Sequence, residues 1–362
     1  MDGNSKPSRF ALIGAGWRAE FFLRIARALP ERFSVVGALL RDQTKHAAFE
    51  ASWGVPAHAT LEMLLESKPD FVVLSVPREV VPGFLERLAK LEMPVLCETP
   101  PAPHTEGLIA LHKLTERGAR IQIAEQYAFQ PMHAARLALA RSGKLGSIHQ
   151  ARVSVAHDYH AISLIRGLLG VAFENATIRA QAFHSNLVVS PDRNGPPQHD
   201  QLETQRTILA TLEFEGGRLG VFDFAEWSQY FSWIRSHRVL LQGSHGEITD
   251  ERLRYLEDFH TPIQLDLLRR DAGHAGNLEG YHHQGILAGS EWVYRNPFAP
   301  ARFSDEEIAI ASCLAKMASY VAGGESFYNL AQASQDHYLG LMIHRSLETD
   351  RAIKTETQPW AN

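Results

Sequence analysis

The chain has 362 residues, 45% hydrophobic and 21% charged, a composition that supports a sizeable core and excludes collagen-like, disordered and coiled-coil classes. Its 36 Lys+Arg against 41 Asp+Glu give a formal net charge of -5, which argues against nucleic-acid binding and against an anionic membrane surface. Two cysteines, Cys97 and Cys313, cannot form a disulfide framework and fit a reducing, cytoplasmic setting, while a polar start and the lack of a run of ~20 apolar residues predict neither signal peptide nor membrane span.

The apolar run 9–13 ends in Gly14 and predicts a buried strand. Phe21, Phe22, Ile25, Ala26 and Leu29 recur at helical spacing, predicting a helix over 20–29 that Pro30 stops. Strands follow at 33–40, 71–76, 94–97 and 119–124, interleaved with helices at 45–53, 61–66, 81–91 and 105–117. This alternation predicts a doubly wound parallel sheet covered on both faces. The pattern changes near residue 128. A helix at 131–142 precedes longer strands at 148–156, 176–189, 204–215, 218–226 and 238–242, joined in part by short glycine turns. These predict a mostly antiparallel sheet. Helices are expected at 162–169, 305–321 and 330–348, a loop at 190–200, and a loop-rich insertion at 249–303. The division expected is 6–128 and 129–362, the second an α+β domain with a large open sheet.

Gly14-Ala15-Gly16-Trp17-Arg18-Ala19 joins the first strand to the first helix and fits G-x-G-x-x-G/A. Such a turn needs a first glycine for its tightness, a second so that the backbone meets a pyrophosphate, and a small third residue for helix–strand packing. The helix N-terminus then favours the phosphates. Gly14, Gly16, Trp17, Arg18 and Ala19 are therefore expected to hold a dinucleotide, against the alternative of a turn without ligand. The second strand ends at Leu40, followed by Arg41 and Asp42. Arg41 suits a 2′-phosphate and favours NADP over NAD, against the alternative of a solvated surface arginine.

The order of elements resembles the Gfo/Idh/MocA oxidoreductase family, which includes glucose-fructose oxidoreductase, inositol dehydrogenase and biliverdin reductase. The resemblance rests on the glycine turn, on Val76-Pro77, on Cys97-Glu98-Thr99-Pro100, on 126–131, on 143–148 and on His160 with the Arg166-Gly167-Leu168-Leu169-Gly170 run. It implies an N-terminal Rossmann domain, NAD(P), hydride transfer on a sugar, cyclitol or similar small substrate, and a homodimer or homotetramer through the C-terminal sheet. It further implies that Pro77, Glu98 and Gln126 line the nicotinamide half. The family's Glu-Lys-Pro has Thr99 at the lysine position, and its Asp-x-Gly-x-His-x-x-Asp has Ala156 and Ser163 at the two acids, so that only His160 remains of the Lys, Asp and His group.

A histidine suits proton transfer near neutral pH, and His160 is expected just ahead of the 162–169 helix. Asp158 can orient His157 or stand in for the missing acid. Thr99 can hydrogen-bond a substrate oxygen, and Tyr127 can act as an acid or a substrate hydrogen bonder. The pairs His157/His160 and His282/His283 are weak evidence for a metal, and no metal site is assigned. The leading expectation is an NAD(P)-dependent oxidoreductase. A catalytically silent dinucleotide-binding regulator or scaffold, and a metal-dependent lyase or hydrolase on the same fold, are the alternatives.

Overall fold

The computed structural model describes residues 6–225, 229–230, 232–275 and 280–361. Residues 1–5, Glu226, at which a strand was expected to end, and Asn362 lie outside the described residues. The chain divides into two compact units, Met1–Gln130 with Phe298–Ser334, and Pro131–Pro297 with Gln335–Asn362.

In the first unit, β1 (Ser8–Ile13), β2 (Phe33–Leu39), β3 (Ala57–His58), β4 (Phe71–Leu74), β5 (Val95–Cys97) and β6 (Ile121–Ile123) form one sheet in the order β3-β2-β1-β4-β5-β6. Every pair is parallel. The order reverses between β1 and β4, the place where such sheets bind ligands beyond the strands' carboxyl ends. Phe10, Leu12, Val72, Leu74 and Leu96 are fully buried, as a sheet covered on both faces requires. The connecting helices are α1 (Trp17–Ala28), α2 (His46–Trp53), α3 (Leu61–Leu65), α4 (Val81–Lys90) and α5 (Thr105–Glu116). Strand β3 has no counterpart in the sequence reading. It is two residues long, too short for any periodicity, and exists through Ala38 and Leu40 N–H groups donating to Pro56 and His58 carbonyls.

The second unit holds α6 (Pro131–Arg141), β7 (Ile148–Ser154), α7 (Asp158–Leu169), β8 (Ala176–Val188), β9 (Leu202–Phe214), β10 (Leu219–Phe224) and β11 (Arg238–Gly243). It continues through β12 (Gly246–Thr249), β13 (Arg252–Asp258), β14 (Thr261–Ala272), β15 (His282–Ala288) and β16 (Glu291–Arg295). The chain then forms α8 (Asp305–Val321), which belongs to the first unit, α9 (Leu330–Thr349) and β17 (Ile353–Lys354). The second unit's strands make an 11-stranded sheet, β16-β15-β14-β13-β12-β11-β7-β10-β9-β8-β17. Only the β7–β10 pair is parallel. Helix α7 lies on this sheet with Ile162, Leu164, Ile165 and Leu168 buried. Gly220 permits the contact, since a Cβ there would stand 2.7 Å from Ile165 Cγ2.

Two expectations need correction. The stretch 249–303 is not loop-rich: it carries most of the run from β12 to β16. Its strands are half solvated, and charges such as Arg252–Asp266 and Arg254–Glu247 pair along them, so the apolar period-2 signal is diluted. Helix α7 begins at Asp158 rather than 162, and His160 lies inside it. Its first turn, His157-Asp158-Tyr159-His160, is polar yet packed, which hides it from a periodicity reading.

Candidate nucleotide and proton-transfer sites

The glycine turn follows β1 directly. Gly14 has φ +105°, and a Cβ on it would come within 2.0 Å of the Ser75 carbonyl oxygen, so the turn presses against the end of β4. Gly16 is the opposite case: an added Cβ meets nothing within 4 Å. Gly16 caps α1 with no side-chain hydrogen bond, which leaves the helix's positive end to an anion. Ala19 is fully buried, the small residue that lets helix and strand pack. Trp17 is 45% exposed and meets Phe21 edge-on. These features form a cradle of backbone that fits a pyrophosphate.

Arg18 turns its side chain away from solvent. Its Nε donates to Glu98 Oε1 at 2.9 Å and its Nη1 to Glu306 Oε1 at 2.5 Å. Burial works against the Arg18 charge, but the two carboxylates outweigh it and hold the guanidinium above its ordinary range. Arg18 therefore offers a ligand its backbone rather than its side chain. Glu98 is buried just beyond β5, and Thr99, next to it, is half-buried. Gln126, after β6, is 4% exposed; its Nε2 donates to Glu306 Oε1 at 3.1 Å, while its Oε1 is buried and has no hydrogen-bond partner among the described residues. Such an acceptor fits a ligand that brings a donor. Tyr127 is buried, its N–H donating to Glu125 Oε1 at 3.2 Å. Pro77 is exposed in the turn after β4, where its carbonyl accepts from Val80 N–H. Arg41 is exposed past β2, and Asp42 is committed to capping the next turn through Thr44.

The structure thus gathers Arg18, Glu98 and Gln126 around Glu306, a residue the sequence reading missed. The only local signal at Glu306 is its place in Ser304-Asp305-Glu306-Glu307, which reads as a helix start. Ser304 and Glu307 do form a capping box, and Glu306 looks like one more first-turn acid.

In the second unit, His160 is 8% exposed on α7, its ring packed 4.4 Å from that of Tyr159 and 5.1 Å from that of His157. The His157 N–H donates to the Tyr230 hydroxyl at 3.1 Å. Ala156 is fully buried, and the Ser163 hydroxyl is turned onto the His160 carbonyl. Asp158 has φ +36°, left-handed for a non-glycine residue, and its Oδ1 meets His344 Nε2 of α9 at 3.1 Å. Its Oδ2 stands 3.9 Å from His157 Nδ1. The Asp158 hydrogen bond holds the His344 imidazole above its ordinary range, against the effect of burial. Burial pushes the Asp158 carboxyl up, but His344, His157 and His337 together bring it below its ordinary range. Lower on α7, buried Arg166 is paired with Asp336 and with the Ala172 carbonyl. Among the described residues, no group of three or more His, Cys, Asp or Glu is placed to hold a metal. His283, one of the sequence pairs, instead meets Asp271 at 2.7 Å.

Residues 8–125 match the Gfo/Idh/MocA family model, described as an oxidoreductase family with an NAD-binding Rossmann fold. No curated relative matches the chain. Among solved structures, an oxidoreductase from Agrobacterium radiobacter in complex with NAD+, L-tartaric acid and magnesium is 15% identical, covers 96% of this chain and 98% of its own, and has a TM-score of 0.69. Levoglucosan dehydrogenase in complex with NADH and levoglucosan is 14% identical, with 96% and 99% covered and a TM-score of 0.68. An NAD binding oxidoreductase from Klebsiella pneumoniae is 15% identical, with 97% and 100% covered and a TM-score of 0.68. These likenesses extend the fold over both units. Among the described residues, no helix is long and apolar enough to cross a membrane.

Proposed function

From the match of residues 8–125 to the Gfo/Idh/MocA oxidoreductase family model, we propose that the chain binds NAD(P) and oxidises or reduces a small hydroxylated substrate. The observation that carries this reading is the backbone cradle at Gly14–Ala19, close against β4 at Gly14 and open at Gly16. The cofactor, when bound, supplies or accepts the hydride. Gly14, Gly16, Trp17, Arg18 and Ala19 hold the pyrophosphate, and Pro77, Glu98 and Gln126 line the nicotinamide half. Arg41 approaches the adenosine ribose, where its exposed guanidinium suits a 2′-phosphate and favours NADP. L-tartaric acid and levoglucosan, bound by two proteins of the same fold, support a sugar-like or hydroxy-acid substrate. His160 takes or returns the hydroxyl proton, Thr99 hydrogen-bonds the substrate oxygen, and Tyr127 is a second hydrogen bonder. The protein acts in the cytoplasm as a homodimer or homotetramer through the 11-stranded sheet, an assembly that light scattering would report.

The experiment is a screen of polyols, sugars and hydroxy acids with NAD and NADP, run beside His160→Asn. Turnover should fall about 100-fold or more in the variant, with cofactor affinity unchanged. A second reading, a catalytically silent dinucleotide-binding regulator, is favoured by Thr99 and by the apolar Ala156. Turnover on any substrate removes it, and equal turnover by His160→Asn removes His160 from the chemistry.

A further inference from the structure

Glu306, in the first turn of α8, gathers three side chains of the first unit. Its Oε1 accepts from Arg18 Nη1 at 2.5 Å and from Gln126 Nε2 at 3.1 Å, and its Oε2 accepts from Gln130 Nε2 at 2.8 Å. A carboxylate paired with a guanidinium has no proton to donate. Gln126 must therefore present its NH2 group to Glu306, and this fixes its Oε1 on the other side of the amide. That oxygen is buried and, among the described residues, has no hydrogen-bond partner. Leaving a buried acceptor unpaired is costly, and buried polar atoms are almost always paired, so the position calls for a donor from outside the chain.

The strand order says which part of the dinucleotide brings it. In a sheet built of two nucleotide-binding halves, the pyrophosphate lies at the first strand's helix, the adenosine towards β2, and the second nucleoside on the β4–β6 side. Gln126 follows β6. The nicotinamide nucleoside brings two kinds of donor to that side, the carboxamide N–H and the ribose hydroxyls. Resting on the dinucleotide reading above, we propose that Glu306 is a positioning residue that locks Gln126 Oε1 to accept from the nicotinamide carboxamide. The lock sets the ring's orientation and makes the site sense the carboxamide itself. Without it, the Gln126 amide is able to turn over and present a donor instead.

The test compares NAD(P)+ with its 3-acetylpyridine analogue, in which a methyl ketone replaces the carboxamide and removes the N–H. Both are titrated calorimetrically into the wild type and into Glu306→Gln, whose side chain donates as well as accepts and so releases Gln126 to either orientation. The wild type should bind the natural dinucleotide about tenfold or more tightly than the analogue. In Glu306→Gln the ratio should shrink to within about twofold, because a turned Gln126 can donate to the ketone. Equal wild-type affinity for the two dinucleotides overturns the proposal and leaves the ribose hydroxyls as the donors. An unchanged ratio in a folded Glu306→Gln overturns the role of Glu306. The wild-type comparison stands without any variant, and Gln126→Met should erase the ratio by a second route. No binding of either dinucleotide would instead overturn the dinucleotide reading, an outcome distinct from equal binding.

Discussion

Gly14 and Gly16 are two residues apart and do different work. At Gly14 the backbone is left-handed and a side chain would collide with the Ser75 carbonyl; at Gly16 the backbone is extended and the space is open. Alanine at 14 should cost at least about 1–3 kcal/mol from backbone strain alone and lower the melting temperature. Alanine at 16 should leave the melting temperature near that of the wild type and weaken NADH binding, because its methyl stands where a phosphate approaches the backbone. Melting curves paired with NADH titrations check this, and an unchanged affinity in Gly16→Ala would contradict it. The motif itself was legible in the sequence, since its chemistry depends on adjacent residues. The fate of the Arg18 side chain was not. It is decided by Glu98 and Glu306, the latter 288 positions away, and no local pattern records such a partner.

Among the elements, α7 shows how a charged residue is accommodated at a left-handed position. Asp158 has a φ of +36°, in the left-handed region that glycine adopts easily and aspartate tolerates. Its carboxylate is tied to His344 on α9. This contact has a definite pH dependence. His344 is raised, so its contribution is complete below about pH 6.5 and is lost as pH rises through its folded value. Asp158 is lowered, so its contribution is present above about pH 3.9 and is lost as pH falls through its own. Asp158→Asn keeps a residue that tolerates the backbone and removes the charge. Its melting temperature should fall furthest below the wild type at about pH 5–6, and the gap should narrow towards pH 9. A gap that stays constant from pH 5.5 to 8.5 would show that the ion pair contributes nothing. Helix α7 also marks a limit of periodicity. Its apolar stripe from Ile162 onward was visible, but its first turn, half-buried except at His160, packs through ring contacts among His157, Tyr159 and His160 rather than through aliphatic residues. The strands β12 to β16 escaped for a related reason, since their half-solvated faces are laced with charge.

At the scale of the whole molecule, the six-stranded parallel sheet and the large, mostly antiparallel sheet were both readable from the change of hydrophobic period near residue 128. The return of Phe298–Ser334 to the first unit was not. That return brings α8, and with it Glu306, to the residues that follow β5 and β6. The first unit is thus closed by a helix encoded after β16, when all but the last strand of the second sheet has been laid down, and the polar hub beside the glycine turn depends on it. The central claim remains that this unit binds a nicotinamide dinucleotide. The most direct measurement is a calorimetric titration of NADH and NADPH, separately, into protein stripped of nucleotide. Saturable one-to-one binding is expected, tighter for NADPH where Arg41 meets a 2′-phosphate. Binding of neither dinucleotide would contradict it.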